Sequence, residues 1–104
     1  MEDANNGEIW VTFAGIIEIS IVRAAFALFR DAVADGVKTV HLLIHSPGGN
    51  VSDGVVLHSY FKSLPLELIA YNSGHVASAA TTVFLGARRR IVSPHGTFVV
   101  HKTV

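Results

Sequence analysis

Apolar and polar positions along this chain fall into short blocks whose period switches between two and about three and a half residues, the mark of strands alternating with helices. Glu8 to Phe13 alternates weakly through Ile9, Trp10, Val11 and Phe13 and predicts a first strand. From about Ile19 to Ala34, Val22, Phe26, Phe29 and Val33 recur at three- and four-residue steps, with Arg23, Arg30 and Asp31 toward the other side, which predicts a helix that Gly36 ends. Val40 to Ile44 is almost wholly apolar, the pattern of a strand covered on both faces, and runs straight into Ser46-Pro47-Gly48-Gly49. A second helix follows, with Ser52 or Asp53 as its cap, a stripe of Val56, Leu57, Tyr60, Phe61 and Leu64, and Pro65 as its breaker. Leu66 to Tyr71 predicts a third strand, Asn72 to Gly74 a turn, and His75 to Leu85 a helix of mostly small residues. Ile91 and Val92, then Thr97 to His101, predict two more strands joined by a Pro94-His95-Gly96 turn. The alternation is that of an α/β fold with parallel crossovers. No repeat or linker interrupts it, so residues 1–104 are expected to form a single domain.

Composition narrows the functional classes. The chain is 50% hydrophobic and 15% charged, with 8 Lys+Arg balancing 8 Asp+Glu, and its mean hydropathy of +0.46 is high for a solitary soluble domain. A surplus of apolar side chains leaves patches that other subunits cover, so a homo-oligomer is expected. The one dense basic run, Arg88 to Arg90, is too short for a nucleic-acid footprint, and no nucleic-acid partner is expected. The absence of cysteine excludes disulfides, thiolate metal sites and a cysteine nucleophile. Met1 to Gly7 is acidic and polar, unlike a secretory signal, which makes a cytoplasmic location the expectation. The uncharged stretch Leu68 to Ala87 carries Asn72, Ser73, Gly74, His75, Ser78, Thr81 and Thr82, so it reads as strand, turn and buried helix, with no membrane association.

Sites in α/β domains form where loops leave the carboxyl ends of strands, and two such segments stand out: Ser46-Pro47-Gly48-Gly49 and Asn72-Ser73-Gly74-His75. Paired glycines let the backbone approach a ligand and aim N–H groups at it, as a developing oxyanion requires, although Pro-Gly-Gly is also an ordinary turn. Ser78, about a turn into the third predicted helix, lies where a helix N-terminus assists a nucleophile; its bland alternative is a packing serine bonded back to a carbonyl. His101 follows an apolar strand and could serve as catalyst or as structure. His41, His45, His58, His75 and His95 fit no metal-ligand spacing, so neither a metal nor another cofactor is expected; His41 and His45, four apart on a strand, are too far apart to chelate one ion.

Taken together, Ile44-His45-Ser46-Pro47-Gly48-Gly49-Asn50-Val51, Gly74-His75-Val76-Ala77-Ser78-Ala79-Ala80 and Phe98-Val99-Val100-His101-Lys102 resemble, in order and spacing, the signature blocks of the Clp protease proteolytic subunit family. The resemblance runs from about Ile9 to the last residue. It implies a ClpP/crotonase-like fold of repeated ββα units, here in part, and makes Ser78 the nucleophile and His101 its general base. It makes the N–H groups of Gly49 and Ala79 the oxyanion hole, and sets an extended peptide beside Gly48, Gly49 and Val51. It further implies an unfolded-protein substrate, a ring of identical subunits around a chamber, and delivery by a separate ATPase.

Two departures accompany the resemblance. The family's acidic third member follows the histidine in a region beyond Val104, and Asp31, Asp35, Asp53 and Glu67 occupy positions that do not match it. The chain therefore reads as the N-terminal half of a longer subunit or as a truncated relative, with more weight on the former. His75 stands where the family more often has an amide or acidic side chain. Among other readings, signal-peptide peptidases need a lysine that is not placed here, and acyl-CoA enzymes of the crotonase type need no serine at position 78. A noncatalytic ring subunit keeps the fold without a complete triad.

Overall fold

A computed structural model of the protein describes residues 7–92 and 96–99. Five strands and three helices follow one another as β1 (Glu8–Ala14), α1 (Ile19–Ala34), β2 (Thr39–Ser46), α2 (Val51–Ser63), β3 (Glu67–Ala77), α3 (Ala79–Leu85), β4 (Arg89–Val92) and β5 (Thr97–Val99). Every pairing is parallel, and the sheet order β1-β2-β3-β4 repeats the order of the chain. Because parallel crossovers share one hand, strands laid down successively in one direction send their helices to one face of the sheet. The core reflects this: Val22, Phe29 and Ala32 of α1, Leu57 and Phe61 of α2, and Ala80, Val83 and Phe84 of α3 join Ile9, Val40, Leu42, Ile44, Leu68 and Ala70 in one cluster. This is the mixed α/β architecture with parallel crossovers that the sequence predicts.

The sheet is therefore covered on one side within this chain, which corrects the reading of β2 as buried on both faces. Val40, Leu42, Ile44 and Ser46 are buried, while His41 and Leu43 are half-buried and His45 is exposed. On the uncovered face Trp10, 56% exposed, stacks on the His41 ring at 4.1 Å. That imidazole is held between the Glu8 carboxylate and the Tyr71 hydroxyl, each at 2.8 Å.

The α1 stripe is also displaced from the predicted one. Ala25 and Ala32 share the inward face with Val22 and Phe29, whereas Phe26 and Val33 lie toward solvent. On α2, Val56 is exposed and Gly54 takes an inward position. The cap of α2 is Asn50 in place of Ser52 or Asp53: its Oδ1 accepts the Asp53 N–H at 3.0 Å.

The largest correction concerns β3. The sequence predicts a strand, a turn at Asn72 to Gly74 and a helix from His75, but the strand runs on to Ala77. Its register against β2 steps from Ile44↔Asn72 to Ser46↔Val76, so that Ser73, Gly74 and His75 face His45 alone in a bulge. The bulge divides the strand between two neighbours. Ile69 to Asn72 pair with β4, and His75 to Ala77 pair with β5. Of the predicted turn between those last strands, Pro94 and His95 lie outside the described residues, as do Val100 and His101 at the end of the last predicted strand.

Candidate active site

The carboxyl ends of β2 and β3 meet at Gly48 and Ser78. Leaving β2, the buried Ser46 hydroxyl accepts the Gly48 N–H at 3.1 Å and turns the chain. Gly48 and Gly49 follow with φ of 108° and 151°, a backbone region that side-chain-bearing residues rarely enter. Ile17, fully buried, brackets the pair: its N–H donates to Gly48 O at 2.8 Å and its carbonyl accepts the Asn50 N–H at 2.8 Å. A Cβ at Gly49 would clash with Ile17 O, and one at Gly48 would lie 2.8 Å from Ser78 Cβ and 2.9 Å from Ala77 O. Glycine is thus required twice over, by dihedral angle and by space.

Ser78 is not a turn into a helix, as the sequence suggests; it stands alone between β3 and α3. Its backbone has φ 53° and ψ −123°, and it is the only non-glycine residue with positive φ among the described residues. Such a conformation costs on the order of 1–3 kcal/mol and persists only where surrounding packing imposes it. A serine on a sharp strand-to-helix turn presents its hydroxyl at the sheet edge with the first helical N–H groups beside it. Ala79 N is the first of these. It lies 3.4 Å from where a Gly48 Cβ would be, which puts it against the glycine turn. Neither Gly49 N–H nor Ala79 N–H donates a hydrogen bond to another described residue. An N–H without a described acceptor beside a hydroxyl, as Ala79 N–H is to Ser78, can stabilise an oxyanion formed when that hydroxyl attacks a carbonyl.

Of the other sequence-predicted residues, Val51 opens α2 and is 49% exposed beside the turn. His101 lies outside the described residues. The structure therefore brings together Gly48, Gly49, Ser78, Ala79 and Val51. It separates from them an apolar cavity of about 240 Å³ between α1 and the sheet, lined by Val11, Phe13, Ala25, Leu28 and Leu42 among others. No cluster of three or more metal-ligating side chains occurs among the described residues. His45 is the neighbour that sequence reasoning set aside with the other histidines. Its Nδ1 accepts the His75 N–H at 3.1 Å, inside the bulge that leads to Ser78.

The parallel sheet with its helices on one side is the fold shared with ClpP structures. A ClpP1 variant from Listeria monocytogenes superposes with a TM-score of 0.85 at 23% identity, over 90% of this chain and 56% of that one. The ClpP catalytic domain from Plasmodium falciparum gives 0.84 at 17% identity, over 90% of this chain and 54% of that one. The family model for Clp protease matches residues 19–104, and the chain belongs to that family. An ATP-dependent Clp protease proteolytic subunit from Paracoccus denitrificans is 29% identical over 94 residues, which is 88% of this chain and 47% of the relative. The chain thus spans about half the length of the curated relative it matches there.

Proposed function

We propose that this chain carries the nucleophile-bearing portion of a serine-type endopeptidase that cleaves unfolded proteins through an acyl-enzyme. The observation that carries the reading is the strained Ser78 backbone, locked between β3 and α3 with Gly48 packed against its Cβ. Strain kept at one polar residue beside N–H groups that have no described acceptor supports reading that residue as a nucleophile. In this reading Ser78 Oγ attacks the scissile carbonyl carbon and its proton passes to the His101 imidazole. The carbonyl oxygen, now anionic, receives the N–H groups of Gly49 and Ala79. Collapse breaks the C–N bond, the imidazolium protonates the leaving amine, and water then hydrolyses the ester by the same steps in reverse roles.

The peptide lies extended beside Gly48, Gly49 and Val51. The acidic partner of His101 comes from sequence that the family has after the histidine. A ring of identical subunits, cytoplasmic and fed by an ATPase, completes the proposal; the exposed Ile16, Ile19, Val55 and Leu85 support subunit association. No helix among the described residues is long and apolar enough to cross a membrane.

The test is covalent labelling with a fluorophosphonate probe, on this chain and on one extended through the downstream sequence of the family, with Ser78→Ala and His101→Ala as controls. Labelling that disappears in both variants supports the dyad. Assembly without labelling in either form overturns the catalytic reading in favour of a noncatalytic ring subunit.

A further inference from the structure

We propose that the apolar cavity between α1 and the sheet is a binding site for a small uncharged hydrocarbon ligand of about eight to ten carbon atoms, and that filling it braces the elements around Ser78. The binding half stands by itself; the bracing half rests on the reading of Ser78 given above.

The cavity has a volume of about 240 Å³. Its mouth lies at β1, the first strand of the sheet order, where Ala24 and Thr12 are exposed. Its floor is formed by the buried Ile44, Leu57 and Val83. The space exists because α1 carries alanine at both 24 and 25 on the side that lines it, where a longer side chain would fill it. Left empty, it deprives every atom of its wall of packing contacts on one side.

The chemistry of the wall selects the ligand. Thr12 is the one lining residue with a polar side chain, and it stands at the mouth. The interior therefore offers a water molecule none of the polar partners that hold buried water, and it stays dry. No lining side chain carries a charge, so a charged ligand would lose hydration and gain no counter-charge. An uncharged hydrocarbon meets neither obstacle. A dry cavity of roughly 150 Å³ holds benzene, so one about half again as large takes a benzene ring with a short alkyl substituent, or an aliphatic group of equal bulk. Phe29 and Phe61, with ring centroids 5.2 Å apart, line the cavity and can pack edge-on or offset against an aromatic guest.

The floor belongs to the elements that build the candidate site. Ile44 shares the buried face of β2 with Ser46, whose hydroxyl accepts the Gly48 N–H. Leu57 lies a turn along α2 from Gly54, where a Cβ would come within 3.0 Å of Ala79 O. Val83 lies a turn along α3 from Ala79, the residue after Ser78. Beside an empty cavity these three side chains leave β2, α2 and α3 room to shift against one another, and a ligand touching all three removes that room. A displacement of about 1 Å at a reacting group can cost a hundredfold in rate, so the bracing reaches the alignment of hydroxyl and amides.

The test uses ethylbenzene on the full chain, with phenylacetate as its charged counterpart and Ala25→Leu as the variant that fills the cavity. In the wild type about 1 mM ethylbenzene is expected to raise Tm by about 3 °C, and phenylacetate at the same concentration by less than about 0.5 °C. Ala25→Leu is expected to lose the shift. Isotope-filtered NOE spectra of the wild type, which need no variant, are expected to connect ethylbenzene protons with methyl groups of Leu28, Leu42 and Val83. Spectra without these contacts overturn the proposal, as does an equal shift with phenylacetate or a shift retained in a folded Ala25→Leu protein. Fluorophosphonate labelling of Ser78 is expected to run about threefold faster with ethylbenzene in the wild type and at an unchanged rate in Ala25→Leu. Labelling that ignores bound ethylbenzene overturns the bracing and keeps the binding site. Ethylbenzene contacts without labelling of any form keep the binding site and overturn Ser78 as nucleophile.

Discussion

A serine at φ 53° needs a neighbour that holds it there, and Gly48 is that neighbour. Because a Cβ at Gly48 would lie 2.8 Å from Ser78 Cβ, Gly48→Ala has to displace either the turn or the serine. The expected outcome is a loss of probe labelling of about a hundredfold, the scale of one oxyanion donor moved out of place. Unaltered labelling rates in a folded Gly48→Ala protein would refute the geometry. Ser78 itself offers a separate test of strain. Alanine keeps the Cβ that disfavours positive φ, whereas glycine removes it, so Ser78→Gly is expected to be more stable than Ser78→Ala by about 1 kcal/mol in urea unfolding. Equal midpoints for the two variants would remove strain as the reason for reading Ser78 as special. At this scale Ser78 was legible only through resemblance. Val76-Ala77-Ser78-Ala79-Ala80 has no turn residue and reads as helix, because the turn is imposed by tertiary packing against Gly48 and encoded by no local signal. The Gly48-Gly49 turn was legible from the residues themselves, since paired glycines announce a backbone that other residues cannot adopt.

Between elements, the packing of α1 on α2 turns on Tyr60. Its ring meets Phe26 edge-on at 4.6 Å and Phe29 at 6.4 Å, and its hydroxyl reaches toward Phe26 O at 3.5 Å. Burial pushes the Tyr60 phenol above its ordinary value of 10.0, against a smaller opposite pull from the Arg30 guanidinium. A raised value in the fold means that the unfolded chain releases this proton first. The contribution to stability is therefore intact below about pH 10 and disappears as pH climbs through the raised folded value. Thermal melts between about pH 9 and pH 11 are expected to fall more steeply in the wild type than in Tyr60→Phe; parallel slopes would assign the alkaline loss to another group.

Gly54 sets the contact of α2 with α3, since a Cβ there would lie 3.0 Å from Ala79 O. Gly54→Val is expected to cost about 1–3 kcal/mol by overpacking and to slow labelling, because the first turn of α3 follows Ser78 directly. A stable, fully labelling Gly54→Val protein would show that α2 does not set the position of α3. Element order and type were legible wherever large apolar residues marked a face. The α1 face was misplaced because Ala25 and Ala32 in the core give no signal, while Phe26 and Val33 at its border give a strong one. In β3, Asn72 and Gly74 have the composition of a turn. They serve instead as a buried cap and a gap for the His45 ring, roles that depend on β2 alongside and cannot be read from β3 alone.

For the molecule as a whole, the governing fact is that three crossovers of one hand place α1, α2 and α3 on the same side of the sheet. What remains outward on β1 to β4 includes Trp10, Leu43, Tyr71 and Ile91, and the helical layer adds Ile16, Ile19, Val51, Val55 and Leu85 at its own surface. A mean hydropathy of +0.46 is thus not absorbed by one core, and part of it is spread over two opposite faces. Apolar area left in water favours association in proportion to its extent, at roughly 25 cal/mol per Å² before the entropy of association is subtracted. Patches on opposite faces also favour assemblies in which each subunit has more than one neighbour, the condition for a closed ring. Sedimentation velocity at micromolar concentration is accordingly expected to show a species several times the mass of one chain. Glutamate at Val55 or at Trp10 should shift it toward smaller species according to which face is covered. A lone chain sedimenting as a monomer up to about 100 µM, where a contact of about −5.5 kcal/mol would already be half formed, would mean that the apolar surplus is matched by a partner other than a second copy of this chain.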